Sequence, residues 1–478
     1  MSITGALSNA ASGLTASARA VRVVSSNIAN VMTEGYAARQ LDLTSSNLGG
    51  VGTGVHVLGV SRQVDSVLLG LHRDAGANAE QSSAAVAFWQ SLEGAFGLPG
   101  EGVSKALSGF ESALIAATER PDLDSRLSKV ASTAEALSLA LGAVEDTVQD
   151  QRTKADTAIA RDVEALNSGL ARVDTLNSEV VRLRAAGQSS LGLEDERQAL
   201  ITSLSEIVPM RDYLRSDGRV TLFSAGGQLM LDIDPQEVGF SPSVVVDASM
   251  TNGAGLSGLT IGNRAVETGP NGPLVGGRLF ANFELRDTAS VAAQDAVDTL
   301  AADLISRFQD AATDVTLAPG QAGLFTDAGA AITGTPPAGL AGRLALNTAV
   351  VPDAGGDLWR IRDGLGATTP GPVGDATQIR NLISAIERPV SAAPGAPLVS
   401  FSSSLNEAAT GISLQRYTAE DIAAQNNAHH GELTQQMLAQ GVDTDAEMQR
   451  LLTIEQAYAA NARVIETADA MLRRLLEI

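Results

Sequence analysis

The chain begins and ends with the same pattern. Ile3, Leu7, Ala10, Leu14, Ser17, Val21, Val24 and Ile28 recur at alternating steps of four and three, all apolar except Ser17. Near the C-terminus Leu451, Ile454, Tyr458, Asn461, Ile465, Ala468, Leu472 and Leu475 repeat the pattern, broken only by Asn461. Such a stripe lays one face of a helix along a partner helix. A single helix of roughly 30 residues with one apolar stripe gains its stability from packing, not propensity. Two of them at opposite ends of a chain fit helices that pack on each other, on other copies, or inside an ordinary bundle. Ala6, Ala11, Ala18 and Ala20 flank the first stripe and leave room for close approach. Thr444 and Glu447 in "TDAE" read as a capping box opening the second helix, and Gly441 as the stop of the one before.

Between the stripes the 478 residues divide by pattern. Residues 37–65, rich in glycine and β-branched residues, read as an extended or hairpin segment. From 66 to 208 the period is helical: Leu127, Val130, Ala134, Leu137, Leu141, Val144 and Val148, then Ile159 to Leu183, continue the three-four spacing. A helix from 122 to 186 would be ~95 Å long at 1.5 Å per residue. Residues 209–279 and 315–399 carry Gly, Pro and short β-branched runs such as "SVVVDA", expected as β-rich insertions around a helix at 280–314. Helical patterning returns over 400–441 and closes with 442–478.

Composition excludes more than it identifies. A formal charge of −22, with 33 basic against 55 acidic residues, opposes nucleic-acid binding. Without cysteine there are no disulfides, thiolate nucleophiles or Cys-bound metals. The first residues lack the charged and apolar regions of a secretory signal. No stretch reaches the ~20 apolar residues of a membrane span, so no membrane insertion is expected. His429 and His430 are adjacent on a helical stretch and point ~100° apart, which reads as exposed surface, not a metal pair. Asp232, Asp234 and Glu237 lack the frame of a calcium loop. "GGVGTG" at Gly49–Gly54 is followed by no Lys-Ser/Thr. No enzyme, cofactor or metal is expected.

The stretch "SSNIANVMTEGYAARQ" closes the first stripe. Asn27 and Asn30 can satisfy helix-end or neighbouring backbone groups, Gly35 opens a backbone angle closed to other residues, and Tyr36 can bury its ring with its hydroxyl bonded. Asn27, Ile28, Ala29, Asn30, Thr33, Gly35 and Tyr36 resemble the N-terminal signature of the rod, hook and hook-associated proteins of the bacterial flagellum. "QAYAANARVI" and "TADAML" resemble the matching C-terminal tail. Asp195, Arg197, Asp217, Gly218, Val220, Gly226 and Gly227, with "GGRLFANFELRD", resemble the branch found at the hook–filament junction.

The resemblance implies a multidomain α+β fold: an N- and C-terminal α-helical coiled coil, an elongated body of long helices, and inserted β-rich outer domains. It implies an exported structural subunit outside the cell that assembles with itself in a ring. Its other implied partners are the hook protein, a second junction protein, an export chaperone and the flagellar export apparatus. The implied assembly residues are Leu14, Val21, Val24, Asn27, Ile28, Asn30, Thr33, Gly35 and Tyr36, with Leu451, Ile454, Tyr458, Asn461, Ile465, Leu472 and Leu475. A hook or distal-rod subunit is the alternative within the family, and a cytosolic coiled-coil scaffold the alternative outside it.

Overall fold

The computed structural model describes residues 3–33, 35–48, 51–98, 100–391 and 397–476. Gly49 and Gly50 of the glycine-rich stretch and the side chain of Leu475 lie outside the described residues. The helices are α1 (Ile3–Ala29), α2 (Ser66–Phe96), α3 (Gly102–Glu119), α4 (Asp124–Ala185), α5 (Leu191–Ile207), α6 (Gly277–Glu284), α7 (Ser290–Gln309), α8 (Leu340–Arg343), α9 (Arg360–Asp363), α10 (Thr377–Glu387), α11 (Phe401–Ala439) and α12 (Thr444–Leu476). Residues fall into two compact units, each discontinuous in sequence: 1–78, 165–236 and 426–478 form one, and 79–164 with 237–425 the other.

In the first unit α1 packs along α12, and an antiparallel hairpin, β1 (Arg39–Leu48) and β2 (Val51–Arg62), lies against α1. Ser12 Oγ of α1 accepts from the Val55 N–H at 3.1 Å. A three-stranded sheet, β3 (Met210–Leu214), β4 (Val220–Ser224) and β5 (Leu229–Leu231), follows α5. Asn177 near the end of α4 brackets Val220, donating to its carbonyl at 2.9 Å and accepting from its N–H at 3.0 Å. Arg197 donates to Asn177 Oδ1 at 2.8 Å and to the Gly218 carbonyl at 2.9 Å. Burial lowers the Arg197 pKa to about 10, against the pull of Glu194, so it stays charged at neutral pH.

The second unit holds the large core. The α4 stripe from Leu127 to Val148 is fully buried there against residues of α3, α7 and α10. Each such leucine contributes about 1.5–3 kcal/mol relative to exposure. Phe110, Phe308 and Phe325 meet with ring centroids 5.0–5.9 Å apart. Alone among the described helices, α4 is long and apolar enough to cross a membrane by length and composition, but its apolar side chains are committed to protein cores.

The sequence between Val238 and Val266 forms only short strands, with Val238, Val246, Leu256, Leu259 and Ile261 buried. Buried arginines hold it as well. Arg152 of α4 donates to the carbonyls of Asp247 at 2.9 Å and Met250 at 2.6 Å. Arg286, 0 % exposed, sits in a π-turn (Leu285–Ala289) joining α6 to α7. It pairs with Asp156 at 2.6 Å and with both oxygens of Asp287 at 2.8 Å, donates to the Ser257 carbonyl, and lies over the Phe283 ring. The wider π-turn is closed by Ser290 Oγ, which donates to the Leu285 carbonyl at 2.6 Å. Between 315 and 399 the ladders are again short, Phe325–Asp327 with Leu344–Leu346 and Val390–Ser391 with Leu398–Val399. Arg307 binds the second of these regions through the carbonyls of Ala385, Arg388 and Val399.

Glu145 of α4 is 4 % exposed; its Oε1 accepts from Gln149 at 2.8 Å, and its Oε2 has no partner. Burial, then the charge of Asp298, raises this carboxyl from its ordinary 4.5 to about 7. Between those values the folded chain keeps a proton that the unfolded chain releases. Stability therefore falls as pH rises through the window, by up to about 3 kcal/mol. Glu145→Gln is expected to raise the melting temperature at pH 8 and to change it little at pH 4.5. Calorimetry across that range checks this.

Candidate functional site

Arg39 and Arg62 pair across the root of the hairpin, Asp65 follows, and Gln440, just ahead of α12, bonds Asp65. Since Asn27 at the end of α1 is bonded to Arg39, α12 starts beside the end of α1 and the two run antiparallel. The seam residues of both face the interface: Ala10, Ser17, Val24 and Ala468 are buried, and Leu14, Val21, Ile28, Leu451, Ile454, Asn461, Ile465 and Leu472 are half-buried. Tyr458 departs from the stripe pattern; at 48 % exposed it lies at the edge of the seam. A second line on α12, Ala457, Ala460, Val464 and Met471, is exposed, as is Leu452.

The turn after α1 is organised by one amide. Asn27 is 0 % exposed. Its Nδ2 donates to the Arg39 carbonyl at 2.9 Å, and its Oδ1 accepts from the Arg39 N–H at 3.0 Å and from the Tyr36 hydroxyl at 2.9 Å. The side chain takes the place of a neighbouring strand for the first residue of β1. Losing it would leave two backbone groups unpaired, roughly 1–3 kcal/mol each. Asn30 Nδ2 donates to the Ser26 carbonyl at 2.8 Å, and the Thr33 N–H donates to the Asn30 carbonyl at 2.9 Å, which closes the helix end. Gly35 has φ +77°, and a Cβ there would lie 3.1 Å from that of Ala199 on α5.

Asp195 on α5 fastens this turn. It accepts from Arg39 Nη2 at 3.2 Å, Arg62 Nε at 2.8 Å and the Ala37 N–H at 3.4 Å. Arg39 and Arg62, one at each end of the hairpin, escaped the sequence reading. Their shared sign at the two outer strand ends was the available signal. Asp195 was visible only as part of a motif, with no partner to give it a role.

Two local expectations are corrected. The α12 cap is Asp443, whose Oδ1 accepts from the N–H groups of Asp445 at 2.9 Å and Ala446 at 3.0 Å, so Thr444 is already the first helical residue. Glu447 instead pairs with Arg450 at 2.9 Å. His429 is exposed, but His430 is not a free surface residue: its Nε2 lies 3.2 Å from Nε2 of His72 on α2. Thr434 Oγ1 donates to the His430 carbonyl at 2.8 Å, so toward His72 it accepts, and His72 Nε2 carries the proton. His72 Nδ1 is buried without a partner, and burial, the neighbouring His430 and Arg73 hold its pKa below the usual histidine value. Among the described residues no group of three or more His, Asp or Glu could hold a metal ion.

The comparisons with known proteins follow the same plan. Residues 7–36 match the family described as flagella basal body rod protein, and 434–478 that described as flagellar basal body rod FlgEFG protein C-terminal. Residues 89–325 match the flagellar hook-associated protein FlgK helical domain. The flagellar hook-associated protein 1 of Escherichia coli (strain K12) is 26 % identical over 99 % of this chain and 99 % of its own length. That of Bacillus subtilis (strain 168) is 22 % identical over 98 % and 97 %. A solved structure, the flagellar hook junction protein FlgK from Burkholderia pseudomallei, aligns with TM-score 0.42 and 18 % identity over 55 % of this chain and 46 % of that one.

Rod-type sequences at both ends, folded here into one antiparallel helix pair, define a flagellar axial protein. With the helical-domain match between them and relatives aligned along nearly the whole chain, it belongs to the flagellar hook-associated protein 1 family.

Proposed function

We propose that this chain is a structural subunit of the bacterial flagellum that forms the junction between hook and filament, entering the assembly through the α1–α12 pair. The observation that carries this reading is the coincidence of the two rod-type matches with a helix pair that leaves a second, apolar line of α12 uncovered. Apolar side chains repeated along an exposed helix face serve contact with further protein. Copies of the chain in a ring are the partners that would cover it, with the hook protein on one side and a second junction protein on the other. An export chaperone and the flagellar export apparatus would deliver the chain to a place on the flagellum outside the cell.

Within this reading the half-buried seam residues from Leu14 to Ile28 and from Leu451 to Leu472 keep the pair together, and Leu475 continues the line. Asn27, Asn30, Thr33, Gly35 and Tyr36 fix where the chain leaves it. The role is mechanical, and no residue is assigned to catalysis. The long helices between the ends favour the junction subunit over a hook subunit. Mass spectrometry of purified hook–basal bodies with attached filaments should recover the chain. Recovery from the cytosol alone would support a cytosolic scaffold instead.

A further inference from the structure

A seam that repeats every seven residues does not fix its own alignment. Sliding α12 by seven positions along α1 brings apolar side chains back onto apolar side chains, so the stripe permits several registers. One contact does not repeat. A Cβ built on Gly13 would lie 2.6 Å from Nδ2 of Asn461 and 2.9 Å from its Cγ. The Asn461 amide thus occupies the space that a missing side chain leaves on α1. Asn461 is the one asparagine in α12, and it is also the residue that interrupts the apolar seam. With Asn461 opposite residue 13, an antiparallel slide by seven would set it against Ala6 or Ala20, where a Cβ fills the notch.

We infer that Asn461 and Gly13 are a register pin, which selects one alignment of the terminal helices from those the seam allows. Asn461 is half-buried, so in the native register its amide keeps contact with water. In a shifted register the same amide is pressed against a methyl group and loses hydration without gaining a bond. Leucine at 461 would complete the stripe and remove the distinction, in the way that one buried asparagine sets alignment in coiled coils generally. Asn461 is a positioning residue in the pair on which the assembly reading rests, and the pin adds to that reading which alignment is used.

The chain has no cysteine, so introduced pairs report alignment without background. Ala10→Cys with Ile465→Cys, three residues from the pin on α1 and four on α12, reports the native register. Ala10→Cys with Tyr458→Cys, or with Leu472→Cys, reports slides by seven. In the otherwise unchanged full-length chain, oxidation should close the first pair at least tenfold more than either other. With Asn461→Leu or Gly13→Ala added, the native yield should fall at least twofold and a shifted pair should appear. Asn461→Asp, of the same shape, should keep one register. Calorimetry of the second unit, which contains none of these positions, verifies that each variant folds. A single native register in both Asn461→Leu and Gly13→Ala overturns the pin, and so does failure of every pair in the unchanged background. Neither outcome bears on whether the chain resides at the junction, which the location of the protein on flagella decides separately.

Discussion

Cells whose only copy of this subunit carries Ile465→Asp are expected to bear hooks without filaments, at least tenfold fewer filaments than wild type, and to lose filament protein to the medium. Ile465 is half-buried in the α1–α12 seam beside Asn461. A carboxylate there meets an apolar face with no cation to pair with, and desolvating it costs several kcal/mol. The main core draws no residue from α12. Purified Ile465→Asp should therefore keep the principal unfolding transition of the wild-type chain within about 0.5 kcal/mol, as for sites with no shared partners. Filament counts by electron microscopy and calorimetry of the same variant together check this. Intact filaments, or a melted core, would contradict an assembly role for the terminal pair.

Arg286→Ala is expected to fail in the opposite way. Here folding is lost first, and filaments disappear because no subunit is available. Removing the guanidinium leaves Asp156, 0 % exposed, without its cation and leaves the Ser257 carbonyl without a donor. Breaking one side of a buried ion pair costs about 3–5 kcal/mol. Arg286→Lys should recover little, because an ammonium cannot bind Asp287 with a two-pronged fork, reach Asp156 and lie flat on Phe283 at once. Urea unfolding midpoints should place both variants well below wild type. A midpoint within experimental error of wild type for Arg286→Ala would show that the segment from Val238 to Val266 is held by something else.

Periodic features were legible because period is a property of sequence. The fully buried positions Leu127 to Val148 fall where spacings of three and four place them, and the seams of α1 and α12 face each other. Asn27 was legible as an amide that must bond backbone at a helix end. Its partner was not, since Arg39 becomes reachable only when the chain turns back at Gly35 and opens the hairpin. The ionic contacts at Asp195 join residues far apart in the chain, and no local pattern announces them. His430 failed for the same reason: read along one helix it is a surface residue, and its neighbour His72 comes from another. The α12 cap was misplaced because Asp443 and Thr444 are both good capping residues, and only the backbone decides between adjacent candidates. The buried arginines gave no signal at all. In sequence, Arg152 and Arg286 look like any surface cation, and the backbone carbonyls they bond lie in a segment distant along the chain.

The central claim is that the chain sits between hook and filament and nowhere else along the flagellum. Gold-labelled antibody against the folded chain, applied to isolated flagella and viewed by electron microscopy, tests this most directly. The expected result is a single narrow band of label where the hook ends and the filament begins, present on every complete flagellum and absent from Ile465→Asp hooks. Label spread along the hook or rod would place the chain among those subunits instead, and flagella free of label with antigen only in the cytosol would contradict the assignment altogether.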